Sequence, residues 1–177
     1  QIVHLTLGKT MNELCKLTAT EAVSKLRHRE IEPIELVEAS IERIEEVDGT
    51  VNALPIHCFD IARERAKSMS SSAIVDNNRS LCGLPIAVKD YNDVGSVRTT
   101  YGSPVFANNV ASVSDATVSM LEQNGAIPIA KSNVPEWAGG NTFNPVFGAT
   151  RNPWDTRMSA GGSSGGSAAA VVSGCVP

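Results

Sequence analysis

The sequence predicts an α/β fold, a β-sheet with helices packed on it, and three observations carry that prediction. Two short apolar runs, Leu84 to Val88 and Ala126 to Ala130, have the length and composition of buried strands. Between them, Asp115 starts a helical segment that runs to Asn124 and is closed by Gly125 in the role of a left-handed stop. The third observation is their order, strand then helix then strand. In open α/β sheets the chemistry collects beyond the carboxyl ends of the strands. Here those ends carry Lys89-Asp90 and Lys131-Ser132-Asn133.

The remaining elements follow in chain order. Residues 1–17 have no clear caps and read as an N-terminal arm with at most a short helix. Thr18 and Glu21 form a T-x-x-E capping box, and Ala22, Leu26 and Ile31 give a short amphipathic helix to about Arg29. Pro33 suits the first turn of a second helix, in which Ile34, Leu36, Val37, Ile41, Ile44 and Val47 recur at helical spacing. Gly49 is its expected stop. Asn52 to Ile56 is a short strand or extended run, and Phe59 to Met69 is a third helix with a charged outer face. Ser70 to Ser80 reads as an exposed loop. Thr99 to Ser103 follows a turn, with a polar loop to Ser114. Gly139 to Thr150 reads as loop, and Asn152 to Asp155 as a turn; no internal repeat shows at a fixed period.

Length and composition bound the function. A chain of 177 residues fits one domain at roughly 150 residues per domain. Its net charge of −4 shows no basic excess, so bulk electrostatics disfavours nucleic acid and an anionic membrane as partners. Cys15, Cys58, Cys82 and Cys175 stand far apart and read as reduced thiols of a cytoplasmic protein. His4, His28 and His57 make no zinc-ligand spacing, and no apolar run approaches the ~20 residues of a membrane span. A start at Gln1 rather than Met leads us to expect that N-terminal residues have been lost.

The stretch from Ser159 to Cys175 draws most attention. Two Gly pairs bracket Ser163 and Ser164 and lead into the small, apolar run Ser167 to Val172. Composition alone also fits a Gly/Ser linker, but linkers do not run into A-A-A-V-V. A helix opening after such a turn offers unpaired N–H groups, with Ser163 or Ser164 as N-cap or as a group facing the reacting atoms. Both serines match G-x-S-x-G, yet the residues before them are polar rather than a buried strand, and no histidine follows His57. A Ser-His-Asp triad is therefore set aside, and a phosphate-binding Gly-Lys-Ser/Thr loop is absent. Lysine remains as a candidate base. Lys89 follows an apolar strand, where burial would lower its pKa and let a neutral amine deprotonate a serine. The alternative, for Lys89 and for Lys131, is a strand-end lysine that reaches water or pairs with Asp90.

Six ordered blocks then carry a resemblance: G-L-P-I-A-V-K-D (83–90), T-T-Y-G-S (99–103), D-A-T-V-S-M-L-E-Q-N-G-A (115–126), K-S-N-V-P-E-W-A (131–138), G-A-T-R-N-P-W-D (148–155) and G-G-S-S-G-G-S-A-A-A-V (161–171). Together they resemble the amidase signature family. The resemblance implies a mixed β-sheet core flanked by helices, of which these residues are the N-terminal portion of a single domain: a helical region over about 1–70 and an α/β part over about 80–177. It implies an amidohydrolase that cleaves a carboxamide C–N bond through a Ser-cisSer-Lys triad and an acyl-enzyme. Lys89 would be the lysine, Ser163 the cis, bridging serine, and Ser164 the supporting hydroxyl. Ala138, Gly139 and Gly140 would contact substrate. The family's nucleophile and oxyanion donors lie in a further Gly-Gly-Ser block that is not found before Pro177, and neither Ser167 nor Ser173 sits in the right motif to replace it. The 177 residues alone are thus expected to be inactive. The implied partner is a small-molecule amide with no cofactor or metal, and a homodimer is the assembly left open. Two other readings stand beside this one. A glutamine-hydrolysing subunit of a tRNA-dependent amidotransferase usually has N-M-D-E-F where this chain has Asn133-Val134-Pro135-Glu136-Trp137, a departure that favours a stand-alone amidase. The other is a non-catalytic relative that binds partners.

Overall fold

The structure, a computed structural model, describes residues 11–69 and 79–177. Most of the N-terminal arm and most of the loop predicted over Ser70 to Ser80 therefore lie outside the described residues. A 3₁₀ turn at Glu13–Lys16 precedes helix α1, Ala19–Arg27, whose predicted capping box is present: Glu21 N–H donates to Thr18 Oγ1 and Thr18 N–H donates to Glu21 Oε2. Helix α2, Pro33–Val51, passes straight through Gly49. The stop falls later because Asn52 adopts the left-handed conformation (φ +55°) and its N–H returns to the Asp48 carbonyl, while the Asp48 carboxylate accepts from Ala53 and Leu54 N–H. The Asn52 side chain donates to the carbonyls of Phe147 and Ala149, almost a hundred residues on. Strand β1, Ile56–His57, and helix α3, Phe59–Ser68, complete the first part.

A three-stranded mixed sheet of order β1-β3-β2 forms the centre. β2, Pro85–Lys89, runs parallel to β3, Ile127–Ser132, and β1 is antiparallel to it. Helix α4, Ala116–Gln123, lies between β2 and β3 in sequence, as predicted, with Gly125 at φ +93° just beyond it. Every residue of β3 is buried, the pattern of a central strand covered on both faces, and the strand continues two residues past its predicted end to include Lys131 and Ser132. Thr99 and Thr100 are fully buried just before a turn at Tyr101 and Gly102. The stretch predicted as loop, Gly139 to Thr150, contains the hairpin β4, Phe143–Asn144, with β5, Gly148–Ala149. The Asn152 to Asp155 turn joins β6, Arg151–Asn152, to β7, Asp155–Ser159, a strand whose polar, mostly exposed residues give it no apolar pattern to read. Helix α5, Gly165–Val172, closes the described fold.

One core cluster joins α2, α3, β3 and α5 through Val37, Ile41, Ile44, Ala62, Ile127, Ile129, Ala169 and Ala170. A second sits between Leu26, Leu36 and Leu84, and a third gathers Ile56, Val88, Val94, Val97 and Val118. Helices packed on this sheet fix β2, β3 and the start of α5 against one another. No helix among the described residues is long and apolar enough to cross a membrane.

Candidate active site

Side chains alternate between the two faces of a strand, and residues in register on parallel neighbours share a face. Lys89 is in register with Ser132, and Val88 with Lys131. The ladder continues one step further, since Asp90 N–H donates to the Ser132 carbonyl. One face therefore carries Lys89 and Ser132 toward α5. There Lys89 Nζ lies 2.9 Å from both Ser163 Oγ and Ser164 Oγ, and Ser132 Oγ lies 2.7 Å from Ser167 Oγ. Burial lowers the Lys89 pKa below the ordinary lysine value.

The other face carries Asp90 and Lys131, which pair at 3.0 Å with neither side chain exposed. Lys131 also donates to Thr99 Oγ1 at 2.7 Å, and Asp90 accepts from the Thr100 hydroxyl at 2.5 Å and from Thr100 N–H. Burial lowers the Lys131 pKa, and Asp90 opposes that effect. The two lysines that the sequence left with the same alternatives thus differ: Asp90 is taken by Lys131, and Lys89 meets hydroxyl groups.

The serine loop needs glycine because it runs against other backbone. The Gly162–Ser163 peptide bond is cis. A Cβ on Gly162 would collide with the Gly140 carbonyl oxygen, and one on Gly166 would collide with the backbone N and O of Asn133. Thr142 ties the loop from the other side: its N–H donates to the Gly161 carbonyl at 2.8 Å, and its hydroxyl accepts from Gly165 N–H at 2.9 Å and faces the Ser163 carbonyl at 3.4 Å. Ser164 occupies the N-cap position of α5, but its side chain makes no capping bond and stands beside Lys89 instead.

Of the three residues expected to contact substrate, Gly140 abuts the serine loop at Gly162. Ala138 and Gly139 close their own turn, donating N–H to the carbonyls of Pro135 and Glu136. That loop is anchored by a buried amide pair that the sequence reading missed. Asn144 Nδ2 donates to Asn133 Oδ1 and to the Val134 carbonyl, both at 2.7 Å, and Asn133 Nδ2 donates to Thr150 Oγ1 at 3.1 Å. The contacts of Thr142, Ser132 and Ser167 were not foreseen either, although Ser132 and Ser167 stand inside two of the six blocks, because a block does not record which side chains meet. A cavity of about 460 Å³ beside Asn12, Cys15 and Arg43, along α2, shares no residue with this cluster.

The arrangement is an amine of lowered pKa between two hydroxyl groups on a backbone held from three sides, which suits proton transfer to or from an alcohol. Comparison with known proteins places the chain among relatives. The chain is 40% identical over 168 residues to a glutamyl-tRNA(Gln) amidotransferase subunit from Sulfurihydrogenibium sp. (strain YO3AOP1), a match that covers 93% of this chain and 34% of that protein. It is similar to the structure of 6-aminohexanoate cyclic dimer hydrolase, with a TM-score of 0.84 at 30% identity over 94% of this chain and 33% of that one. A bacterial aryl acylamidase described as an amidase signature enzyme gives a TM-score of 0.83 at 31% identity, covering 91% and 34%. The chain spans about a third of the length of the curated relatives it matches. A family model described as Amidase matches residues 35–177, and the chain belongs to that amidase signature family.

Proposed function

We propose that the full-length protein hydrolyses carboxamides through an acyl-enzyme, with Lys89 as base and Ser163 as relay. Neutral Lys89 accepts the Ser163 hydroxyl proton as Ser163 takes the proton of a nucleophilic serine contributed from outside these 177 residues. The serine oxygen bonds to the carboxamide carbon, backbone N–H groups stabilise the oxyanion, and the C–N bond breaks as Ser163 passes a proton to the leaving amine and recovers one from Lys89. Water then adds to the ester by the same path and releases the acid. Ser164 holds the lysine amine in line. The loop through Ala138, Gly139 and Gly140 borders the substrate. These 177 residues are read as the N-terminal portion of one domain, inactive alone.

The observation that carries this reading is the placement of Lys89 Nζ at 2.9 Å from both serine hydroxyls while the adjacent carboxylate, Asp90, is held by Lys131 on the opposite face. A lysine of lowered pKa with no carboxylate partner among the described residues is the form a base requires. The test is single-turnover acylation by the full-length protein. Lys89→Ala and Ser163→Ala should each slow it by several orders of magnitude with the fold unchanged by circular dichroism. A folded Lys89→Ala protein that acylates at near the wild-type rate would discard the mechanism.

A second reading, the glutamine-hydrolysing subunit of an amidotransferase, is favoured by the 40% identity to a subunit of such an enzyme. Co-purification with partner subunits, and hydrolysis of glutamine in preference to other amides, would select it over a stand-alone amidase.

A further inference from the structure

One buried ion pair takes no part in the proton path. Asp90 and Lys131 lie 3.0 Å apart with neither side chain exposed, and their hydrogen bonds stay within one knot: Thr99 Oγ1 accepts from Lys131, while the Thr100 hydroxyl and N–H donate to Asp90. Chain packed on from outside these 177 residues can only deepen that burial. Stability is a poor reason for such a pair, because two apolar side chains of similar volume often hold a core as well or better. Its position offers a reason. Asp90 directly follows Lys89, and Lys131 is the register partner of Val88, directly before it. The pair therefore lies behind the lysine that faces the serines, on the other face of the same two strands.

Among the described residues, few charges face the two lysines. Lys89 meets the Ser163 and Ser164 hydroxyls at the start of α5, its strand neighbour Ser132 bonds to Ser167, and burial alone lowers its pKa. Lys131 feels Asp90 most, then Cys58 at the start of α3 and Asp93 in the loop after β2. Burial pushes the Cys58 thiol up to about 11, so it carries no charge at neutral pH. Asp93 accepts from Tyr101 OH at 2.9 Å, and burial and Asp93 push that phenol up to about 12. Asp90 is thus the carboxylate set beside Lys89 in the chain. Adjacent residues that point to opposite faces hold their charges roughly 10 Å apart. At an effective dielectric of about 20, a lone carboxylate at that range raises a lysine pKa by about one unit. In the native pair that effect is cancelled: whichever atom holds the shared proton, Asp90 and Lys131 together carry no net charge.

We propose that Lys131 is a positioning residue for the reaction: it holds the Asp90 carboxylate on the far face and cancels its charge, so that Lys89 stands neutral between Ser163 and Ser164. The inference rests on the reading of Lys89 as base. It gives the second lysine a role that neither a solvated strand end nor a packing contact would have.

The test titrates the Lys89 amine in the full-length protein in two ways: as the acid limb of single-turnover acylation against pH, and as the carbon-13 resonance of Lys89 Cε, assigned by its loss in Lys89→Met. Lys131→Met and Lys131→Gln both delete the cation, and the second keeps a donor for Asp90. Thr100 still donates to Asp90 in both and favours its ionised form. Each variant should therefore move the limb and the resonance midpoint up by about one pH unit, which slows acylation about tenfold below the limb. Asp90→Asn/Lys131→Met should return both to within about 0.3 unit of wild type. A packing defect would lower the melting temperature or the alkaline plateau and leave the midpoint unmoved. An unmoved midpoint in a folded single variant overturns the proposal, and so does a shift that persists in the double variant. If neither single variant folds, the double variant decides, and a midpoint more than about 0.3 unit from wild type overturns the proposal. A protein that hydrolyses no carboxamide yet shows the resonance shift would lose the reaction and keep the electrostatic role of Lys131. Acylation that depends on Lys89 with an unmoved midpoint would keep the reaction and lose that role.

Discussion

Asp90 Oδ1 stands 3.0 Å from Lys131 Nζ, and both side chains are wholly buried although they lie 41 residues apart in sequence. The pair is satisfied by Thr99 and Thr100, so neither charge is left without hydrogen bonds. Removing one member leaves the other buried and uncompensated, typically at about 3–5 kcal/mol. Lys131→Ala should therefore be strongly destabilising, contrary to the small effect expected for a strand-end lysine. Chemical denaturation of wild type, Lys131→Ala and the double variant Asp90→Asn/Lys131→Met checks this, with the double variant recovering much of the loss.

Lys89 gives a prediction in pH. Its pKa is lowered by burial, so between that value and the ordinary lysine value the folded state binds fewer protons than the unfolded state. Stability from this group is therefore lowest below the window and rises with pH through it. Acylation by the full-length protein should climb over the same lower part of the window as the amine becomes neutral, then level off on the alkaline side. The melting-temperature difference between wild type and Lys89→Met should shift in favour of wild type as pH rises. A pH-independent difference would contradict the assignment.

Two glycines should respond with opposite signs. Gly166→Ala drives a methyl into the backbone of Asn133 and should cost about 1–3 kcal/mol, with disturbance at Ser163 and Ser164. Gly49 lies inside α2, where an added methyl would meet no atom within 4 Å, so Gly49→Ala should stabilise by about 0.5–1 kcal/mol. Thermal melts of the two variants decide both.

The capping box of α1 predicts a smaller effect. Thr18→Ala removes the acceptor for Glu21 N–H and should cost about 1 kcal/mol, measured by denaturation. Thr18→Ser should keep most of it.

Lys89, Ser163 and Ser164 were legible as separate candidates because each sits in a contiguous motif, an apolar strand ending in lysine and hydroxyls framed by glycines; that they meet was implied only by the resemblance to the amidase signature family. The anchoring residues were not legible. Thr142 against Gly165 and Asn144 against Asn133 are contacts between loops, and no local pattern records them. For Lys131 the pairing with Asp90 stood among the sequence alternatives, but not the complete burial of the pair, which rests on contacts between strand ends and the Thr99-Thr100 segment that no local pattern records. Gly49 misled because a left-handed Asn three residues on supplied the stop. The hairpins β4–β5 and β6–β7 are short and largely exposed, so they lack the alternation by which a strand announces itself.

The side chain of Asn52 reaches the carbonyls of Phe147 and Ala149, and Thr150 Oγ1 donates back to the Asn52 carbonyl. The end of α2 is thereby clasped to the hairpin that precedes the serine loop. A protease that nicked the chain after α3 would leave two pieces still bound through this clasp and the shared core, and they should co-elute until denaturant is added. Conversely, excising residues 11–58 would strip the cover from Ile127, Ile129 and Ala170, and a shortened product should bind hydrophobic dyes and self-associate.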